Sequence, residues 1–170
     1  MPEKMLTPKF LTKEIAERAV LRMIDVMRGS EDLLSRQAFH MVILVPSMKD
    51  AREKNFPDWP DYNIKPHVIY EHSFAKDVWN HEFDEIARCK ALQLWHDRND
   101  DRTDCMPHLL FPSDTPYWGG VKRHGIVVAC SGFQAHFDKM FSGIVADICI
   151  AMAYNEWDKT KGNFEDDFLP

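Results

Sequence analysis

Apolar residues recur along this chain in two rhythms. Ile15, Ala16, Ala19, Val20, Met23, Ile24 and Met27 fall at helical spacing and predict an amphipathic helix that Thr12 can cap and Gly29 can end. Phe39 to Val45 is a continuous apolar run with one interruption, His40, and stops at Pro46, the signature of a buried strand. His67 to Phe74 alternates, and a regular strand would put Val68, Tyr70, His72 and Phe74 on one face. Phe83, Ile86, Ala87, Lys90, Ala91 and Leu94 give a second helix one inward face, with Asp77 or Asn80 as candidate caps.

A short strand is predicted near His108 to Phe111, and another from Ile126 to Cys130. A third helix follows, to about Trp157. Its apolar surface runs nearly all round, with Asp147 the only charge between Met140 and Tyr154. Such a helix is expected to be buried on all sides, which in a small domain predicts contact with another subunit. The order helix, strand, strand, helix, strand, strand, helix predicts an α+β domain, a small antiparallel sheet flanked by helices.

The 170 residues are read as one domain, 1–170, with an insertion at about 49–65 and an acidic tail at about 159–170. In the insertion Phe56, Trp59 and Tyr62 are spaced by three around Pro57 and Pro60, which rules out a regular helix and leaves an aromatic-edged arm or a loop covering its own domain. Apolar residues are 45% and charged residues 28%, the balance of a globular protein. A net charge of −6 with scattered Lys and Arg argues against nucleic acid and against an anionic membrane surface. No segment holds the ~18 uncharged apolar residues of a membrane span. The opening Met-Pro-Glu-Lys-Met has no apolar stretch before Pro8, so no signal peptide is expected and a cytoplasmic protein is favoured. Cys89, Cys105, Cys130 and Cys149 lack zinc-finger spacing and are expected as buried free thiols, except that Cys105 stands in a Cys-x-x-His pair with His108 beside acidic residues.

Chemistry concentrates in the last third. Gly119-Gly120-Val121 and Gly125-Ile126-Val127-Val128-Ala129-Cys130-Ser131-Gly132 describe a strand ending in a tight turn at a helix N-terminus. Ser131 can cap, Gly132 lets the backbone bend, and N–H groups there would face a small anionic or carbonyl-bearing ligand; an ordinary strand-to-helix turn is the alternative. His124 precedes the glycine of the preceding turn, and His136 stands in the first turn of the last helix, where an imidazole could serve as acid, base or iron ligand, or simply sit on the surface.

At the start of the second helix, beside Asp84, His81 and Glu85 are one turn apart and could both reach a divalent metal, although acids at a solvated helix start account for the same residues. Lys90 falls on the inward face, so it must snorkel or meet an acid, and a ligand carboxylate is one candidate; Arg88 lies beside it. His96, Asp97, Asp100, Asp101, Asp104, Cys105 and His108 make a loop rich in ligating groups, but its spacing matches no metal loop, and a solvated acidic loop is expected. His72, among aromatics, reads as a hydrogen-bonded core residue. Ser131 lacks the Gly-x-Ser-x-Gly surroundings of a hydrolase nucleophile.

Three blocks carry a resemblance: Leu11-Thr12-Lys13-Glu14-Ile15-Ala16, Ile86-Ala87-Arg88-Cys89-Lys90-Ala91, and the glycine-rich strand and Ser-Gly turn with Asp138 and Asp147. Through them the chain resembles the GlcG/HbpS-like family of haem-binding or haem-degrading proteins, from about Leu11 to Tyr154. The resemblance implies a profilin-like sandwich, homo-oligomers, and binding of a tetrapyrrole such as haem or of another small molecule. The chain departs from the family in its 49–65 insertion and in the Leu-Gln-Leu-Trp-His that follows Lys90-Ala91. The expectation is an oligomeric small-molecule-binding protein whose planar aromatic or carboxylated ligand sits near Ser131, Gly132 and His124. The alternative is an enzyme on the same scaffold acting on an aromatic acid, with His136, His81 or Lys90 moving the proton.

Overall fold

A computed structural model describes residues 5–49, 64–99, 106–160, 167 and 169. Phe56, Trp59 and Tyr62 of the insertion, Asp100 to Cys105 of the acidic loop, and most of the acidic tail lie outside the described residues.

Strand β1 (Phe39–Ser47) is buried along nearly its whole length. It lies inside a four-stranded antiparallel sheet of order β2-β1-β4-β3, formed with β2 (Lys65–Phe74), β3 (Gly120–Arg123) and β4 (Ile126–Ser131). Neighbours on both edges and helices on both faces explain why this segment reads as a continuous apolar run interrupted only by His40. Helices α1 (Lys13–Arg28) and α3 (Ala135–Thr160) cover one face, where Phe39, Met41, Ile43, Val128 and Cys130 join the larger core. Helix α2 (Phe83–Trp95) covers the other, packing Ala87, Ala91 and Leu94 onto Val42, Leu44, Val127 and Ala129. The fold is α+β, a small antiparallel sheet flanked by helices. None of the described helices is long and apolar enough to cross a membrane.

Several expected boundaries move. Thr12 caps α1 as predicted, its Oγ1 accepting the Ile15 N–H at 3.3 Å. Helix α2 begins later than Asp77 or Asn80 would set it: Glu82 occupies the cap position and supplies no side-chain cap. Pro107–Leu109 forms a 3₁₀ turn, so the strand expected near His108 is absent there, and Gly120–Arg123 is the strand that pairs with β4. Pro107 at the start of that turn needs no backbone donor, whereas a strand would.

In β2 the alternation is broken. The pairing with β1 shifts between Ile43, opposite Tyr70, and Leu44, opposite Val68, leaving Ile69 as the extra residue of a bulge. Tyr70, His72 and Phe74 therefore face the α1–α3 core, while Val68 shares the opposite face with Leu44 and is 40% exposed. Helix α3 is not buried on all sides within the chain. Its buried residues end at Cys149, and Met140 and Tyr154 are exposed. Asp147 pairs with Arg123 at 2.8 Å.

Candidate functional site

Strand β4 ends at Ser131, and the chain must then cross to α3 past the start of β1. Gly132 makes this possible: its φ is +137°, and a Cβ there would stand 2.2 Å from the Ala38 carbonyl oxygen. The glycine is required by a neighbouring strand, before any ligand is considered. In front of the turn opens a cleft of about 170 Å³. Its floor is buried Ser131, Gly132, Phe133 and Phe83; exposed Arg36, His81 and Tyr117 stand at its rim. The Arg36 guanidinium lies 5.3 Å from the centre of the Phe83 ring and donates to Asn80 Oδ1 at 2.6 Å. No carboxylate among the described residues pairs with Arg36.

Behind the turn lies a buried ion pair. Lys90 Nζ donates to Asp138 Oδ2 at 3.1 Å and to the Cys130 carbonyl at 2.9 Å. Asp138 Oδ1 accepts the Phe133 N–H at 3.0 Å. Both side chains are almost completely buried. Burial pushes the Asp138 carboxyl up to about 7 against the downward pull of Lys90 and the Phe133 N–H. The inward Lys90 thus meets an acid of its own chain. One of the N–H groups expected to face a ligand, that of Phe133, is spent on Asp138. Gly119 belongs to the same construction: at φ +122° it leaves room for Asp138, whose Cβ would stand 2.6 Å from a Cβ at position 119.

The structure brings His81, Ser131 and Gly132 to one cleft and separates the other candidates. His136 is exposed on the first turn of α3, against the Phe137 ring, and lines an open depression with Arg123, Lys139 and Asp147. His124 is exposed in the β3–β4 hairpin turn at the opposite end of β4 from Ser131. Its φ of +49° and the +86° of Gly125 are the positive pair that two-residue hairpin loops use. His81 precedes α2, so it does not share a helical face with Glu85, whose carboxylate accepts from Arg88 at 2.8 Å. Among the described residues no group of three or more His, Cys, Asp or Glu could hold a metal ion. His72 accepts or donates at Nδ1 with the Tyr70 hydroxyl at 2.9 Å, and burial lowers its pKa.

A polar cluster on the α2 face escaped the sequence reading. His40 is 3% exposed. Its Nδ1 meets Ser73 Oγ at 2.8 Å and its Nε2 meets Glu71 Oε1 at 2.9 Å. Arg88 Nε donates to the same Glu71 oxygen at 2.8 Å. Burial lowers the His40 pKa against the pull of Glu71. Hydrogen bonds from His40 and Arg88 hold the Glu71 carboxyl below its ordinary value against desolvation. The one available signal was His40 itself, the polar break in an apolar run; its partners depend on a cross-strand register. Arg36 and Tyr117 likewise reach the cleft only through loops.

No family model, curated protein or solved structure matches this chain.

Proposed function

We propose that the protein binds a small carboxylated molecule with a planar or apolar body in the cleft before the Ser131–Gly132 turn. The observation that carries this reading is Arg36, held over Phe83 at the rim with no described carboxylate partner. A guanidinium in that setting pairs with a ligand carboxylate, while Phe83, Phe133 and Ile86 offer the body an apolar wall. The Ser-Gly turn that resembles the GlcG/HbpS-like family supports the same location. Of the ligands that resemblance implies, the smaller class suits the space better: about 170 Å³ lies below the roughly 300–1,000 Å³ of clefts that take drug-sized molecules, and a haem macrocycle needs more.

The enzymatic alternative is favoured by one feature, the His81 imidazole at the rim of the cleft. In that reading His81 moves the proton, because Lys90 is engaged with Asp138. Calorimetric titration with benzoate, and titration with haemin followed by visible absorption, test the proposal. Benzoate binding that falls roughly ten- to a hundredfold in Arg36→Ala is the expected result. A haemin-induced visible band with no benzoate heat would transfer the assignment to the tetrapyrrole, and binding indifferent to Arg36 would remove the site.

A further inference from the structure

The Ser73–His40–Glu71 row has the connectivity of a proton-transfer chain. All three side chains lie on one face of the β1–β2 pair, where His40 is opposite Ser73 and Val42 is opposite Glu71. An ionised Glu71 can only accept, so the bond at 2.9 Å puts the His40 proton on Nε2. Nδ1 is then an acceptor, and the contact at 2.8 Å is Ser73 donating its hydroxyl proton to it. Glu71 is anchored from α2 by Arg88. The imidazole is shielded, with the Trp79 ring edge-on at 6.0 Å. That shield depends on the turn after β2: Ala75 takes a φ of +52°, and Trp79 Nε1 donates back to the Phe74 carbonyl at 3.0 Å. Ser73 itself is exposed, on an edge strand of the sheet. A nucleophile open to solvent, a base closed to it and a carboxylate fixing the base's tautomer are the nucleophile, base and orienting group that acyl transfer uses.

The geometry points to Ser73 as a nucleophile that His40 activates toward carboxylic esters able to reach its exposed position on the edge strand, with Glu71 as a positioning residue. The two imidazole nitrogens exchange the roles they have in serine proteases. As Ser73 Oγ bonds to the ester carbonyl carbon, its proton passes to His40 Nδ1. As the carbon–alkoxide bond breaks, that proton goes to the departing alcohol, leaving Ser73 acylated. Water then adds by the same route, its proton passing through Nδ1 to Ser73 Oγ, and releases the acid. Glu71 keeps accepting from Nε2–H and stays ionised throughout.

The test is incubation of the full chain with p-nitrophenyl acetate, following nitrophenolate release and locating acetyl groups by peptide mass spectrometry. Acetylation at Ser73 is expected. The rate should be lost in Ser73→Ala, an exposed substitution that keeps the fold, and reduced by about a hundredfold or more in His40→Asn. Glu71→Gln should lower the maximal acylation rate while leaving KM within about twofold. Acetyl groups found only on lysines, or Ser73→Ala reacting at the parent rate, would overturn the assignment even if His40→Asn were to misfold. So would Ser73 acetylated equally fast in a folded His40→Asn variant.

Discussion

Lys90 of α2 and Asp138 of α3 meet at 3.1 Å across the end of β4, in the interior of the molecule. The pair ties together both layers of helix that sandwich the sheet. Lys90 also holds the Cys130 carbonyl, and Asp138 also holds the Phe133 N–H, so the strand and turn between the two helices are fastened to the same two side chains. The cleft in front of the turn is therefore shaped from behind.

Removing one member of this pair should cost far more than a surface ion pair does. Lys90→Met leaves Asp138 buried without its cation, at an expected loss of about 3–5 kcal/mol in urea denaturation at pH 8. The loss should shrink at pH 5. Asp138 already titrates near 7 in the intact protein, so without Lys90 it is neutral there and no bare charge remains. A loss equal at both pH values would show that Lys90 contributes only packing.

Gly132→Ala should destabilise by at least about 2 kcal/mol, because the new Cβ meets the Ala38 carbonyl at 2.2 Å and φ is +137°. Gly125→Ala is the control. It also has a positive φ, +86°, but open space around its Cβ, so only the conformational cost of about 1–2 kcal/mol is expected. Thermal melts of the two variants should rank in that order.

Acid should weaken the fold through the His40 cluster. The His40 pKa is depressed in the folded protein, chiefly by burial, so the unfolded chain binds its proton more readily. Stability from this group is complete above the ordinary value of 6.5 and is lost as pH falls through the lower folded value. Glu71, also depressed, adds a loss of the same sign below 4.5. Asp84 and Arg88 of α2 act on His40 in opposite senses, raising and lowering its pKa respectively. His40→Asn should flatten the dependence of stability on pH just below 6.5, measured by urea titration across that range.

Self-association is the remaining expectation. Met140 and Tyr154 of α3 and Leu21 and Val26 of α1 are exposed apolar side chains, and the GlcG/HbpS-like resemblance implies homo-oligomers. Sedimentation velocity at micromolar concentration should give a mass that is a multiple of the 170-residue chain. A monomer at that concentration would dismiss it.

The α+β class, the three helices, the buried strand from Phe39, the Thr12 cap and the inward placement of Lys90 were determined by the sequence alone. Each rests on local rules: helical spacing, an apolar run broken only at His40, a side-chain oxygen three residues before an N–H. The bulge at Ile69, the true β3, the partner of Lys90 and the row Ser73–His40–Glu71 were decided only by the tertiary structure. Cross-strand register joins residues 31 and 33 positions apart in the row, and packing of α2 against α3 joins residues 48 positions apart in the ion pair. Periodicity says which face a side chain takes; which side chain of another element stands opposite it is set by how strands slide and helices dock, and that is fixed only when all of them bury their apolar faces together.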